Sequence, residues 1–253
     1  RCLDGELIYI LTWKRPGAVW AMDYSEPPNP VDGMYKKLLN VRDLASGKTL
    51  ESLPVPEESA EETVCVLLAL FMKYGPPLVI KCDNGSTLTA HAVRKLLAQY
   101  RVTPLISPPY WPRYNGACEA GNGSIKVRAH HIAAAHGRVS EWSCNDVEAA
   151  KIMADELPRP SRHHGLSPIQ VWEARTPISE TERCCFENSL HIFREQGLIQ
   201  MQDQLPLNAT AKEIEDAAAQ AERDAVRRTL ESSGILIERR ERIPLPNKRR
   251  FRT

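Results

Sequence analysis

The chain has almost no net charge: 33 basic residues against 32 acidic ones leave +1 over 253 residues. Bulk charge therefore does not announce a nucleic-acid partner, and any such surface must be local. There is no C-x-x-C pair among the seven scattered cysteines, which disfavours a zinc site of the usual spacing. That usage reads as a reduced, intracellular protein, with Cys65 and Cys82 as small core residues in apolar stretches. No apolar run is long enough to span a bilayer, no signal peptide is visible and no repeat recurs. The chain starts at Arg1 and not at Met, which suggests a fragment with something missing upstream.

What is present is organised. Residues 1–18 read as an N-terminal arm or linker. Val19–Tyr24, Lys37–Asp43 and Thr49–Val55 read as strands of an antiparallel meander, the last two joined by the turn Ala45-Ser46-Gly47-Lys48. Pro27-Pro28-Asn29-Pro30 must interrupt pairing, since proline donates no ladder bond. Ser59 and Glu62 form a capping-box pattern ahead of Val64, Leu67, Leu68 and Phe71 at helical spacing. Gly75-Pro76-Pro77 ends that helix.

Leu78–Cys82 then reads as a buried strand, Ala90–Tyr100 as a helix and Val102–Ile106 as another strand. Helices follow over Gly116–His136 and Asn145–Glu156. The order predicts an α/β fold, a mixed five-stranded sheet flanked by helices. Residues 19–157 would be the core, 158–205 a linker or helical segment, and 206–253 a small basic C-terminal module or tail. From Arg239 to Thr253, seven basic residues face the single acid Glu241.

Three acids stand out. Asp23 closes an apolar strand, Asp83 opens Asp83-Asn84-Gly85-Ser86 after another, and Glu119 follows a Pro- and aromatic-rich loop on a helix. Taken singly, each has a plain reading: Asp and Asn favour strand-end turns, and a helical Glu is usually solvated. Together they gain meaning. Two aspartates at the ends of adjacent strands would share one sheet edge, where ligands of open α/β sheets bind. Three convergent carboxylates repel one another and need a cation, and hard oxygen donors favour magnesium or manganese. Two such ions can promote in-line displacement at phosphorus. Glu119, Asn122 and Lys126 also share one helical face, an acid, an amide and a cation suited to a nucleic-acid backbone. Cys118, Ile125, Ala129 and Ile132 form the neighbouring apolar stripe.

Residues 19–175 resemble the catalytic core of the DDE integrase and bacterial transposase superfamily. The resemblance rests on Trp20-x-x-Asp23, Tyr74-Gly75-Pro76-Pro77, Asp83-Asn84-Gly85-Ser86, Ser107-Pro108-Pro109, Pro112-Arg113-Tyr114-Asn115-Gly116 and Glu119. Thirty-five residues separate Asp83 from Glu119, the D,D-35-E pattern, and Arg162-His163-His164-Gly165-Leu166-Ser167-Pro168 with Trp172 looks like the segment that trails such cores. The resemblance implies an RNase H-like fold and DNA strand cleavage and transfer by direct transesterification. It implies two Mg2+ or Mn2+ ions, Asp23 and Asp83 sharing one and Asp23 and Glu119 holding the other.

The same likeness places Lys126 at the element's end and Asn115-Gly116 in a reshaping loop. Arg113, Asn122, Arg249 and Arg250 are further candidate DNA contacts. The chain departs from the pattern at Cys82, Leu88 and Ala120, and in a longer Pro27–Asp32 loop.

The expected partners are DNA, other copies of the chain on that DNA and an ATPase helper, with no membrane, in a bacterial cytoplasm or nucleoid. Upstream end-reading modules of such transposases are absent. The alternatives are an RNase H-like nuclease without strand transfer, or a non-catalytic DNA-binding or scaffold protein of transposase descent. The His130-His131 and His163-His164 pairs lack a nucleophile–base context, so seryl, cysteinyl or tyrosyl recombinase chemistry is disfavoured.

Overall fold

The computed structural model describes residues 5–85, 87–108, 116–159, 165–206 and 208–244, and of residues 5–9, 117 and 241–244 only the backbone. A five-stranded sheet is built from β2 (Val19–Ser25), β3 (Lys37–Asp43), β4 (Thr49–Val55), β5 (Val79–Cys82) and β6 (Thr103–Ile106). Its spatial order is β4-β3-β2-β5-β6. The first three strands are the expected antiparallel meander, while β5 and β6 run parallel to β2. The parallel pairings require crossovers, supplied by α1 (Ala60–Tyr74) and α2 (His91–Gln99). Pro54 and Pro104 lie in the two edge strands, where a missing N–H costs least and discourages further pairing.

Residue alternation along β2 divides the core. Trp20 and Met22 point to one face, packing with Ile80 of β5, with Leu67, Leu70 and Phe71 of α1, and with Leu96 and Leu97 of α2. Trp172 of the short helix α5 (Pro168–Glu173) closes that layer. Val19 and Ala21 point the other way with Val79 and Leu105, against Cys118 of α3 (Gly116–Ala135). Farther along α3, Ile125, Ala129 and Ala133 pack with Leu38 of β3 and with Val147, Ala150 and Ala154 of α4 (Cys144–Glu156). Asp23 shares the parity of Val19 and Ala21, so the strand itself aims it at α3.

Four expectations change. The N-terminal arm is a strand, β1 (Gly5–Trp13), paired antiparallel with β7 (Leu236–Pro244) from the other end of the chain. The segment read as irregular to helical contains a single 25-residue helix, α6 (Glu180–Gln204), antiparallel to α7 (Ala211–Ser232).

Its start was legible in a capping box, Ser179 with Glu182, that the apolar pattern had hidden. Phe186 and Leu190 of α6, with Val226 and Leu230 of α7, join the α3-side core. Arg183 pins α6 by donating to the carbonyls of Pro76, Pro77 and Arg101.

Finally, Cys65 is exposed, because it lies on the outer face of α1. Ser59 caps Glu62 N, but Glu62 Oε2 is buried without a partner, so the box is half formed. No helix among the described residues is long and apolar enough to cross a membrane.

Candidate active site

The central strand sets the geometry. β2 and β5 pair in parallel through Ala21 and Lys81. Continuing that register by two residues brings Asp23 level with Asp83, just past the end of the ladder. Beyond β5, Asp83 Oδ1 accepts from Gly85 N at 2.9 Å. A Cβ at Gly85 would lie 2.9 Å from that oxygen, so a larger residue there would press on the carboxylate. Across the sheet, Asp23 is opposite Asn40 of β3.

The third acid comes from α3. Cys118 is buried against the sheet and Glu119, next on the helix, is exposed in the first turn. One turn on, Asn122 is 7 % exposed and donates from Nδ2 to Asp23 Oδ2 at 2.9 Å. Asn122, expected from sequence among the DNA contacts, thus has its amide engaged by the first acid. Position 122 lies one turn past Cys118 and three residues before Ile125, so it faces inward, and its amide is used to hold the acid.

Burial pushes the Asp23 carboxyl up to about 6, and the carboxylates of Asp83 and Glu119 push in the same direction. The Lys126 ammonium opposes them. The three acids are thus electrically coupled around Asp23 with one cation from the same helix. Even so, among the described residues no three His, Cys, Asp or Glu side chains are gathered closely enough to hold a metal ion. The donors present, carboxylates short of positive charge, fit a hard divalent cation.

One neighbour had been passed over. Lys81 is 4 % exposed in the middle of β5, and its burial lowers the ammonium to about 8, while Cys118 and Glu119 pull the other way. A lysine inside a four-residue apolar strand was the available signal. Cys82 and Cys118 flank the acids, but burial raises both thiols to about 12, so neither is a thiolate nucleophile at neutral pH. Gly116 opens α3, where an added Cβ would meet nothing within 4 Å among the described residues, and Lys126 is half-buried. Arg113, Asn115, Arg249 and Arg250 lie outside the described residues.

Sheet order and crossovers define an RNase H-like fold, that of integrase catalytic cores. Residues 14–112 match the family model of the integrase core domain, a span that holds Asp23 and Asp83 and stops short of Glu119. The Gag-Pol polyprotein of feline leukemia virus is 27 % identical over 208 residues, covering 79 % of this chain and 12 % of the viral protein. The Pol polyprotein of radiation murine leukemia virus (strain Kaplan) is 28 % identical over 180 residues, covering 69 % of this chain and 30 % of its own length. The chain therefore spans less than a third of either relative.

Among solved structures, the HTLV-2 integrase catalytic core domain in complex with magnesium aligns with a TM-score of 0.51 at 20 % identity. That alignment covers 62 % of this chain and 97 % of the viral domain. The simian T-cell lymphotropic virus intasome in complex with PP2A regulatory subunit B56 gamma aligns at 0.56 and 18 % identity, covering 71 % of this chain and 65 % of that one. At such identities the structural likeness establishes the fold. The chain carries a DDE integrase-like core.

Proposed function

We propose that this chain is a DNA transposase or integrase that cleaves DNA and joins a 3′ end to target DNA by metal-dependent transesterification. The observation that carries the reading is Asp23: an acid on the central strand of an RNase H-like sheet, just beyond its pairing with β5 and coupled to Asp83 and Glu119. Asp23, Asp83 and Glu119 would hold two Mg2+ or Mn2+ ions. When bound, these supply Lewis-acid activation of the attacking and leaving oxygens.

The remaining work falls to the chain. Asp23 must lose its proton to serve as a ligand. Asn122 fixes the carboxylate's orientation, as outer-shell partners do for metal-ligating groups. Lys126 sets a positive charge on the same helical face for a phosphate of the substrate. Rigid placement of water, or of a 3′-hydroxyl, in line with the scissile bond then supplies much of the rate. No side chain becomes covalently attached to DNA. Because two DNA ends must meet for joining, the active form is a multimer on DNA. An ATPase helper is left out of this reading, as nothing in the chain argues for one.

The test is a strand-transfer assay on labelled duplexes carrying the inverted repeats that flank the gene, with Mg2+ or Mn2+. Nicked and target-joined products are expected from the wild type and neither from Asp83→Asn or Glu119→Gln. Nicked products without joined ones would reduce the enzyme to a nuclease. Equal activity in the variants would remove the acids from the chemistry.

A further inference from the structure

The loop between β2 and β3, where the chain departs from the integrase pattern, starts just past the strand that carries Asp23 and reaches the far end of α3. Its tip is a tight turn: Val31 N donates to Tyr35 O at 2.8 Å, and Tyr35 N to Val31 O at 3.0 Å. Val31 is fully buried, in one apolar cluster with Ile125, Ala129 and Ala133 of α3 and Val147 and Ala150 of α4. Tyr35 packs against that cluster.

Polar bonds fix the same contact. Asp32 N donates to Trp142 O at 2.9 Å, and Asn29 Nδ2 to Ser140 O at 3.2 Å. The Asp32 carboxylate accepts from Cys144 N at 2.9 Å. Cys144 is the first residue of α4, and the first N–H groups of a helix have no partner inside it. Ser143 caps Asp146 N locally, so Asp32 supplies a second cap from 112 positions away. A negative charge there also suits the helix dipole. Arg138 braces the α3–α4 connection from within, donating to the two carboxylate oxygens of Asp146 at 2.6 and 2.9 Å. Asp32 and Ser140 both hold positive φ, 50° and 65°, one on each side of the contact. A residue other than glycine keeps such a backbone where its surroundings enforce it.

Thus α3 is tied to β2 at two places. Near its start the tie is the Asn122–Asp23 bond; about 16 Å farther along, at Ala133, it is the loop. Between them α3 is one uninterrupted 20-residue helix, so a slide of its far end is carried to Glu119. We propose that the β2–β3 loop is a positioning clasp for α3: with Asp32 on Cys144 and Val31 on α3, it sets where Glu119 stands relative to Asp23. The catalytic consequence rests on the function proposed above; the mechanical coupling does not.

Two measurements on the full chain test it. The comparison variant is Thr210→Ala, which removes a helix cap of the same kind from α7. The first measurement is amide hydrogen exchange without metal or DNA, well below the unfolding midpoint. Asp32→Ala should speed exchange in the first turns of α3 about fivefold to tenfold, the factor a lost cap represents, although Asp32 bonds to residues beyond the end of α3. Asp32→Asn keeps an oxygen acceptor for Cys144 N and tolerates the positive φ, so it should restore wild-type rates. Val31→Ala should act as Asp32→Ala does, through the apolar side of the clasp. Thr210→Ala should leave α3 unchanged.

The second measurement is DNA nicking with Mg2+. Asp32→Ala should lower kcat about tenfold with KM for DNA little changed, because a misplaced Glu119 weakens the chemistry and not the hold on substrate. Asp32→Asn should recover the rate, and Thr210→Ala should match the wild type. Faster exchange confined to the loop and α4, with α3 at wild-type rates, would overturn the coupling. A wild-type kcat in Asp32→Ala would overturn the positioning role. If α3 exchange responds as expected and the wild type nicks no DNA, the clasp stands and the function proposed above falls.

Discussion

Asp23 and Asp43 lie on paired strands of one sheet, and their surroundings are opposite. Asp43 is fully buried, yet its carboxylate accepts from Gly17 N at 2.8 Å, Ser46 N at 2.7 Å and Ser46 Oγ at 2.6 Å. Burial raises its carboxyl and these donors pull it back down. Asp23 receives the Asn122 amide and a backbone hydrogen bond from Tyr24, and faces two other carboxylates. The first acid is a fixture that ties the β3–β4 turn to the strand before it. The second has a shortage of positive charge that the fold leaves unmet. A buried carboxylate is informative about function when what surrounds it is more carboxylate.

Substitutions should separate the two environments. The largest effect is expected at the acid cluster: Asp83→Asn should lower DNA nicking about 10²–10³-fold or more, the range seen when one preorganised electrostatic contact is lost. It should leave the unfolding midpoint unchanged or slightly raised, since it removes a repulsion on Asp23. Asp43→Ala should show the reverse signature. It strips a buried turn of its acceptor and should cost about 3 kcal/mol, or about 6–12 °C in midpoint for a chain of this size. Activity per folded molecule should stay near wild type. An Asp43 variant of full stability and no activity would erase the distinction.

Asn122 lies between the extremes. Asn122→Ala should weaken divalent-metal affinity about 10–100-fold, as loss of an outer-shell partner does, with a smaller effect on folding. Isothermal titration with Mn2+ would read it, and unchanged affinity would reduce the Asn122–Asp23 bond to packing.

The sheet was legible in the sequence because its strands and breakers are local signals. Alternation gave β2, Gly75-Pro76-Pro77 ended α1, and β3 and β4 fall where their β-rich runs fall. Both aspartates were legible for the same reason, since each follows an apolar strand run: Asp83 lies just past β5, while β2 continues two residues beyond Asp23. The β1–β7 ribbon was not, because its pairing joins residues more than 220 apart. Asn122 was assigned to DNA from helical phase alone. Phase places 119, 122 and 126 within one arc, but only packing decides which edge of that arc meets the sheet. Asp32 and Cys144 come together from a loop and a helix start 112 residues apart, with no sequence pattern to join them.

The smallest effect is the most direct measure of the shortage at Asp23. Its carboxyl stands at about 6 in the folded chain against an ordinary 3.8. Between those values the folded state holds a proton that the unfolded state has released, so stability falls as pH rises through this window. The penalty is complete above about pH 6 and absent below about pH 4. Two units correspond to about 3 kcal/mol, and partial solvent access brings the expected figure to the order of 2 kcal/mol. Asp23→Asn removes the titration, so without divalent metal its unfolding free energy should exceed the wild type's by that amount at pH 7. The two should converge as pH approaches 4, with Asp43 and Asp155 contributing equally to both. Mg2+ at pH 7 should restore the wild type, by about 2.7 kcal/mol at one hundred times the dissociation constant, and leave the variant unmoved. A difference independent of pH would mean that Asp23 feels neither Asp83 nor Glu119, and the acid cluster would lose its physical basis.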